Sequence, residues 1–285
     1  MAFLIGAQKA GTTTLADWLG RHPDLQLADP KEPHFLTRHR ERGLAWYAGC
    51  FPCGSSAPRW CIDASTSYSM RPLSPTTRRA WGDEREGVAE RALAAFGPSP
   101  VLYLVRHPAD RAYSAYWHNR RFGREARPFE QALAADPVYR ECGDYARQIE
   151  PWLRVMGRER VRVLVFDDLV ARPEETLAAC HRFLDVAPRP GDAQGVRNAG
   201  GGVPSRAGIV VNRMRRRLPG IMDPLIGVLG RSPSWLKAPL RRLQFTSEPV
   251  PPLSPGLRAE LLAEMAPSIR SLERSFDLAL LERWS

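Results

Sequence analysis

The run Gly6-Ala7-Gln8-Lys9-Ala10-Gly11-Thr12-Thr13 sets two glycines five apart around a lysine and ends in two hydroxyl side chains. Such a run lets the backbone curl until successive N–H groups point inward, and a helix starting behind it adds partial positive charge. This is the chemistry of a phosphate cradle. It departs from the Walker pattern, where Lys follows the second glycine; here Thr12 follows Gly11, and the lysine stands inside the loop at Lys9. A Walker lysine reaches the β- and γ-phosphates beside Mg²⁺. A lysine within the loop sits nearer the 5′ end of a nucleotide, where it neutralises leaving-group charge without a metal. A plain glycine turn opening a β-α unit is the alternative reading of the same residues.

A second phosphate-binding pattern lies about a hundred residues on. Val101-Leu102-Tyr103-Leu104-Val105 is a continuous apolar run, followed by Arg106-His107-Pro108 and, six residues after the proline, Ser114. Arg106 would end a buried strand, where ligands sit in open α/β sheets. Pro108 would open a helix that carries Ser114 roughly 9 Å along its axis. An arginine and a hydroxyl so placed can grip one phosphate from two sides. Read alone, Arg106 is equally a surface ion-pair residue and Ser114 an ordinary helix serine.

These residues need elements to hold them. Strands are expected at 3–5, 59–64, 101–105 and 161–166, with helices at 13–21, from Pro108 and from Pro173. The alternation predicts an α/β fold, a P-loop-like parallel sheet flanked by helices. The last third differs. Residues 198–202 are Gly-rich, and 206–245 mix arginines with apolar residues and prolines. Ser254-Pro255 then reads as a cap and first-position proline for a closing helix over 256–276. The expected organisation is one domain over 1–285, with a nucleotide-binding core at 1–197 and a helical, basic C-terminal annex at 198–285.

Hydrophobic residues at 44% and charged residues at 25% exclude wholesale disorder. A formal charge of +10 favours anionic partners, but no nucleic-acid docking motif is present. Only three lysines occur, two of them Lys9 and Lys31, in a chain that otherwise uses arginine. Lysine offers a compact rotatable ammonium where arginine offers a planar fork. No apolar run approaches the ~20 residues that span a bilayer, and the first residues show no signal-peptide pattern, so a cytoplasmic protein is expected. Five cysteines, with Cys50 and Cys53 in C-x-x-C spacing and Cys61 following, lack a fourth zinc ligand, so no metal site is expected. Three readings of the basic annex stay open: an acceptor cleft for an anionic glycan, a peripheral contact with the anionic inner membrane face, or a solvated surface.

The residues Gly6 to Thr13 resemble the 5′-phosphosulfate loop of sulfotransferases that use 3′-phosphoadenosine 5′-phosphosulfate (PAPS), in particular bacterial sulfotransferase-domain proteins similar to heparan sulfate N- and 3-O-sulfotransferases. Lys31-Glu32-Pro33-His34-Phe35 is similar to the K-E-x-H-F segment of those families, and Arg106 with Ser114 to their 3′-phosphate motif. Asp63-Ala64-Ser65-Thr66-Ser67-Tyr68 resembles their acidic-Ala-Ser-Pro-x-Tyr stretch, with Thr66 in place of the usual proline. Phe166-Asp167-Asp168-Leu169 and Leu253-Ser254-Pro255 with Trp284 extend the likeness over nearly the whole chain.

The resemblance implies sulfuryl transfer from PAPS, with adenosine 3′,5′-bisphosphate (PAP) as product, to a hydroxyl or amine of a carbohydrate, glycolipid or secondary metabolite. It implies Glu32 as general base, made more basic by desolvation or held low by Lys31, and His34 as a positioning residue or second base. Lys9 would stabilise the leaving phosphate. Gln8, Lys9, Ala10, Gly11, Thr12 and Thr13 would cradle the 5′-phosphate, Arg106 and Ser114 the 3′-phosphate, and Arg206 a closing loop over it. Leu36-Thr37 stands where the heparan enzymes continue Phe-Asp. A P-loop nucleotide or small-molecule kinase is the alternative, and a non-enzymatic basic binder a third reading. Oligomeric state is not legible.

Overall fold

The computed structural model describes residues 1–52, 57–195, 203, 205 and 249–285. Arg206, the basic stretch 206–245 and Cys53 lie outside them, so the expectations placed there are not addressed by the fold.

In chain order the elements are β1 (Ala2–Gly6), α1 (Thr12–Leu19), β2 (Leu25–Leu27), α2 (Gly43–Ala48), β3 (Trp60–Asp63), α3 (Pro75–Trp81), α4 (Val88–Phe96), β4 (Val101–Val105) and α5 (Pro108–Arg121). There follow α6 (Phe129–Ala135), α7 (Val138–Glu141), α8 (Tyr145–Met156), β5 (Val161–Val165), α9 (Phe166–Ala171), α10 (Pro173–Phe183), α11 (Pro255–Phe276) and α12 (Leu280–Trp284). The apolar runs expected as strands form β1, β3, β4 and β5. β2 was not anticipated, because three residues, Leu-Gln-Leu, are too short to show a period.

Among the described residues the five strands form one parallel sheet in the order β2-β3-β1-β4-β5. Every residue of β1 and β4 is buried, as expected where helices cover both faces. After β1 the chain moves outward to β2 and returns through β3; β4 and β5 lie on the other side. The order therefore reverses between β1 and β4, and connections leave those two strands in opposite directions. A crevice opens at the C-terminal ends of such a strand pair, and the glycine loop and Arg106 both emerge there.

Local chemistry supports each boundary. Pro108, Pro173 and Pro255 occupy the first helical turns of α5, α10 and α11, where the missing N–H costs nothing. Ser254 Oγ accepts from Leu257 N at 3.3 Å, capping α11. This helix packs on α5 and α8. Tyr113 OH on α5 donates to Pro251 O at 2.9 Å, and Arg258 on α11 pairs with Asp110 of α5 at 3.3 Å. The C-terminal element thus braces the helix that follows Arg106.

Candidate active site

The loop after β1 closes against β4. Ala7 N–H donates to Leu104 O at 2.6 Å and Ala10 N–H to Ala7 O at 3.1 Å. Lys9 adopts φ 68 and Gly11 φ 96, both left-handed. Gly11 precedes α1, and no side chain caps that helix, an entry of the kind that favours an anion. A Cβ on Gly11 would lie 2.9 Å from Phe166 Cδ2 and 3.1 Å from Leu169 Cδ2, so the position has no room for a side chain. Gln8, Lys9 and Thr13 are half-buried, and Ala10 and Thr12 are buried. This cation-bearing, uncapped helix entry suits the doubly charged 5′ end of a phosphosulfate.

Arg106 touches that loop directly. Its Nη1 donates to Lys9 O at 3.2 Å, and its guanidinium lies 4.5 Å from the centre of the Phe166 ring. Tyr145 OH donates to Arg106 O. His107 Nδ1 accepts from Ala109 N at 3.2 Å at the start of α5. The His107 ring packs 5.8 Å from Trp284, whose Nε1 donates to Asp167 Oδ2 at 2.8 Å. Ser114 is half-buried on α5, and among the described residues no hydrogen bond joins it to Arg106. Ser114, His118 and Arg121 recur at i, i+4 and i+7 and so share one helix face. Arg121 acts electrostatically on Lys9, and Lys9 on His118, which places that face towards the loop. The sequence reading missed these two residues, although their spacing from Ser114 carried the signal.

Glu32 and His34 lie on the connection between β2 and α2, and the residues after β3 grip it. Ala64 N–H donates to Lys31 O at 3.3 Å, Ser65 Oγ accepts from His34 N at 3.0 Å, and Tyr68 OH accepts from Leu36 N at 3.1 Å. Asp63, fully buried, organises this clamp. Its Oδ2 accepts from Tyr68 OH at 2.6 Å and Tyr47 OH at 2.9 Å, and its Oδ1 from Ser65 N at 2.9 Å. Burial raises its carboxyl to about 6, against the lowering effect of those donors.

The Glu32 carboxylate is held by neighbours. Lys31 Nζ donates to Oε1 at 3.0 Å, Thr66 Oγ1 donates to Oε2 at 2.9 Å, and His34 Nε2 stands 3.7 Å from Oε2. Burial pushes the Glu32 pKa up, but the Lys31 charge, the Lys31 and Thr66 hydrogen bonds and His34 together bring it below its ordinary value. Of the two expectations for Glu32, the one in which Lys31 holds it low is therefore the one realised. His34, whose Nδ1 lies 2.8 Å from Ser67 Oγ, falls to about 4 through burial, with Arg38 and Arg85 adding to the shift against the pull of Glu32. His118 also falls to about 4, through burial and then Lys9, Arg124 and Arg121. Both imidazoles are neutral near pH 7. Lys9 is itself lowered by burial and by Arg121, Arg106 and Lys31, with Glu32 opposing. Lys31, Arg106 and Arg121 thus act together on Lys9, with Glu32 opposing there and Asp110 and Asp167 opposing at Arg106, and the excess of cations favours an anionic ligand.

One further cation lies on the His34 side. Arg85 is 6% exposed, its Nη1 reaches the Met70 sulfur at 3.8 Å, its guanidinium stacks 4.5 Å from the Trp81 ring, and its Nε has no partner. Burial and then Arg38 lower it to about 10. Buried charges are ordinarily paired, and among the described residues no ion pair is formed with Arg85.

The chain is similar to several known proteins. The chain is 29% identical over 204 residues to the bifunctional heparan sulfate N-deacetylase/N-sulfotransferase 1 of Mus musculus, covering 64% of this chain and 22% of that protein. It is 27% identical over 198 residues to the heparan sulfate glucosamine 3-O-sulfotransferase 6 of Homo sapiens, covering 65% of this chain and 52% of that one. The chain thus spans about a fifth to a half of the length of these relatives. A sulfotransferase from Alicyclobacillus acidocaldarius superposes with a TM-score of 0.56 at 27% identity, covering 82% of this chain and 97% of that one. The sulfotransferase-domain profile matches residues 1–198, more than half of the chain, and the chain belongs to the sulfotransferase domain family.

Proposed function

We propose that the protein transfers the sulfuryl group of PAPS to a hydroxyl or amine of a carbohydrate, glycolipid or secondary-metabolite acceptor, with Glu32 as the general base and PAP as the second product. The observation that carries this reading is the meeting of Lys9, Arg106 and Glu32 at the C-terminal ends of β1 and β4. Arg106 contacts the loop of Lys9, and Lys9 and Glu32 lie within each other's field.

In this reading the backbone from Gln8 to Thr13 and the hydroxyls of Thr12 and Thr13 hold the 5′-phosphate. Lys9 neutralises charge on the bridging oxygen as the phosphate leaves. Arg106 and Ser114 hold the 3′-phosphate, and Arg206 closes over it. Glu32, ionised at neutral pH, accepts the acceptor's proton; His34, uncharged, orients the acceptor through Ser67. No step in this scheme calls for a metal. In-line transfer of this kind depends chiefly on positioning and charge stabilisation. The lysine inside the loop, rather than after Gly11, argues against the kinase alternative.

Arg85 narrows the acceptor. A buried guanidinium with no ion pair among the described residues, beside Arg38 and His34, suits an acceptor that carries a carboxylate or sulfate near the reacting group. The two relatives described above act on heparan sulfate by name, an anionic glycan. The same chemistry is served by a small anionic metabolite.

The test is incubation with ³⁵S-labelled PAPS and a panel of neutral and acidic glycosides, phenols and amines. Label is expected in an acidic acceptor, and Lys9→Ala and Glu32→Ala are expected to abolish it. Full activity in both variants would refute the mechanism. Independently, PAP at ~100 times its dissociation constant should stabilise the fold by roughly 2.7 kcal/mol, whereas ATP with Mg²⁺ should not.

A further inference from the structure

We propose that Thr66 is a positioning residue that saturates Oε2 of Glu32 and so leaves Oε1, the oxygen shared with Lys31, to take the acceptor's proton. This rests on the reading of Glu32 as general base. A carboxylate oxygen offers two lone-pair directions. Both of those on Oε2 are engaged by Thr66, from Oγ1 at 2.9 Å and from the backbone N–H at 3.3 Å. Oε1 receives one donor, Lys31 Nζ at 3.0 Å. The lone pair left open therefore belongs to Oε1.

The two donors also differ in how firmly they are held. Thr66 is 8% exposed and begins the short 3-10 turn Thr66–Ser69, so its N–H and hydroxyl are aimed by the backbone that bears them. Lys31 is half-buried and reaches Oε1 through a four-carbon stem. An incoming acceptor can displace an ammonium on a flexible stem; it cannot displace a backbone-anchored pair. In the transfer, the acceptor's O–H or N–H bond breaks and its proton passes to Oε1 as the new bond to sulfur forms. The sulfur–oxygen bond to the 5′-phosphate breaks, and its electron pair stays on the phosphate oxygen. Neutralising Oε1 then frees the Lys31 ammonium, which already lies in the field of Lys9.

In the resembling families a proline usually stands at the position of Thr66, and proline has neither an N–H nor a hydroxyl to offer. The charged and titratable groups that face Glu32 are Lys31 and His34 on its own connection, Lys9 from the cradle and His118 from α5.

The test is a ¹³C NMR titration of the glutamate carboxylates in the full chain, with the Glu32 signal identified by its loss in Glu32→Gln. Thr66→Val keeps the shape and removes the hydroxyl; Thr66→Ser restores it. The Glu32 midpoint should rise by about one pH unit in Thr66→Val, the effect of losing one hydrogen bond to a charged group, and return in Thr66→Ser. The acid limb of kcat/KM, measured with the acceptor labelled by ³⁵S-PAPS, should move up by the same amount. An unmoved midpoint in Thr66→Val, or an equal shift in Thr66→Ser, would overturn the assignment. Turnover retained in Glu32→Gln would instead overturn the reading of Glu32 as base. An inactive Glu32→Gln beside an unshifted Thr66→Val would sink the Thr66 assignment alone.

Discussion

Gly11→Ala tests whether the Lys9 loop and Arg106 are one mechanical unit. Two costs apply at this position. At φ 96 an alanine Cβ is strained, at about 1–2 kcal/mol. The added carbon would also stand 2.9 Å from Phe166 Cδ2 and 3.1 Å from Leu169 Cδ2. Leu169 is 3% exposed and has nowhere to retreat; Phe166 carries the Arg106 guanidinium on its face at 4.5 Å. Overpacking of this kind costs about 1–3 kcal/mol, so the total is about 2–5 kcal/mol. Gly87, at the start of α4, supplies the control. It is left-handed like Gly11, at φ 62 and ψ 24 against φ 96 and ψ 9, and a Cβ added there would meet nothing nearer than the tip of the Arg91 side chain at 3.4 Å, so Gly87→Ala should show only the backbone cost. Urea unfolding of both variants should leave Gly11→Ala less stable than Gly87→Ala by about 1–3 kcal/mol. Displacing Phe166 also moves Arg106, so thermal stabilisation by PAP should be lost in Gly11→Ala and kept in Gly87→Ala. Equal stabilities, or an undiminished PAP response in Gly11→Ala, would refute the coupling.

Lys9→Met removes a cation that Arg106, Arg121 and Lys31 crowd. The ligand-free protein should therefore lose no stability in a thermal melt, while calorimetry should show PAP binding weakened about 10- to 150-fold, the worth of one charge-assisted hydrogen bond. A large drop in ligand-free stability with unchanged PAP affinity would show that Lys9 is structural. Asp63→Asn isolates the buried carboxyl. Its folded pKa of about 6 lies above its unfolded value near 3.8, so its contribution is fully present below the unfolded value and is lost as pH rises through about 6. Relative to Asp63→Asn, wild type should lose about 3 kcal/mol between pH 3.8 and 7, read by urea unfolding across that range. A pH-independent difference would mean that Asp63 titrates normally.

Much of this site was legible from residue order, because its chemistry is carried by short contiguous runs. A glycine pair around Lys9 and an arginine at the end of an apolar run each encode a turn or a strand end, and their local propensities hold in the fold. The prolines at 108, 173 and 255 marked helix starts for the same reason. β2 escaped notice because its stability comes from pairing with β3 and not from its own three residues. His118 and Arg121 were overlooked because their role depends on which way α5 faces.

Residue order alone set a glycine loop around Lys9 at the opening of a parallel α/β unit and an arginine at the end of a buried strand. Backbone conformation at glycine and proline, and burial of uninterrupted apolar runs, are local properties that any tertiary setting must respect. Only the tertiary structure decided that the strand order reverses between β1 and β4, bringing Arg106 onto the Lys9 carbonyl. It alone turned Thr66 and Lys31 onto opposite oxygens of Glu32 and left Arg85 buried without an ion pair among the described residues. Those relations are distances between elements remote in the chain, and the direction of a pKa shift follows from such distances, not from residue type.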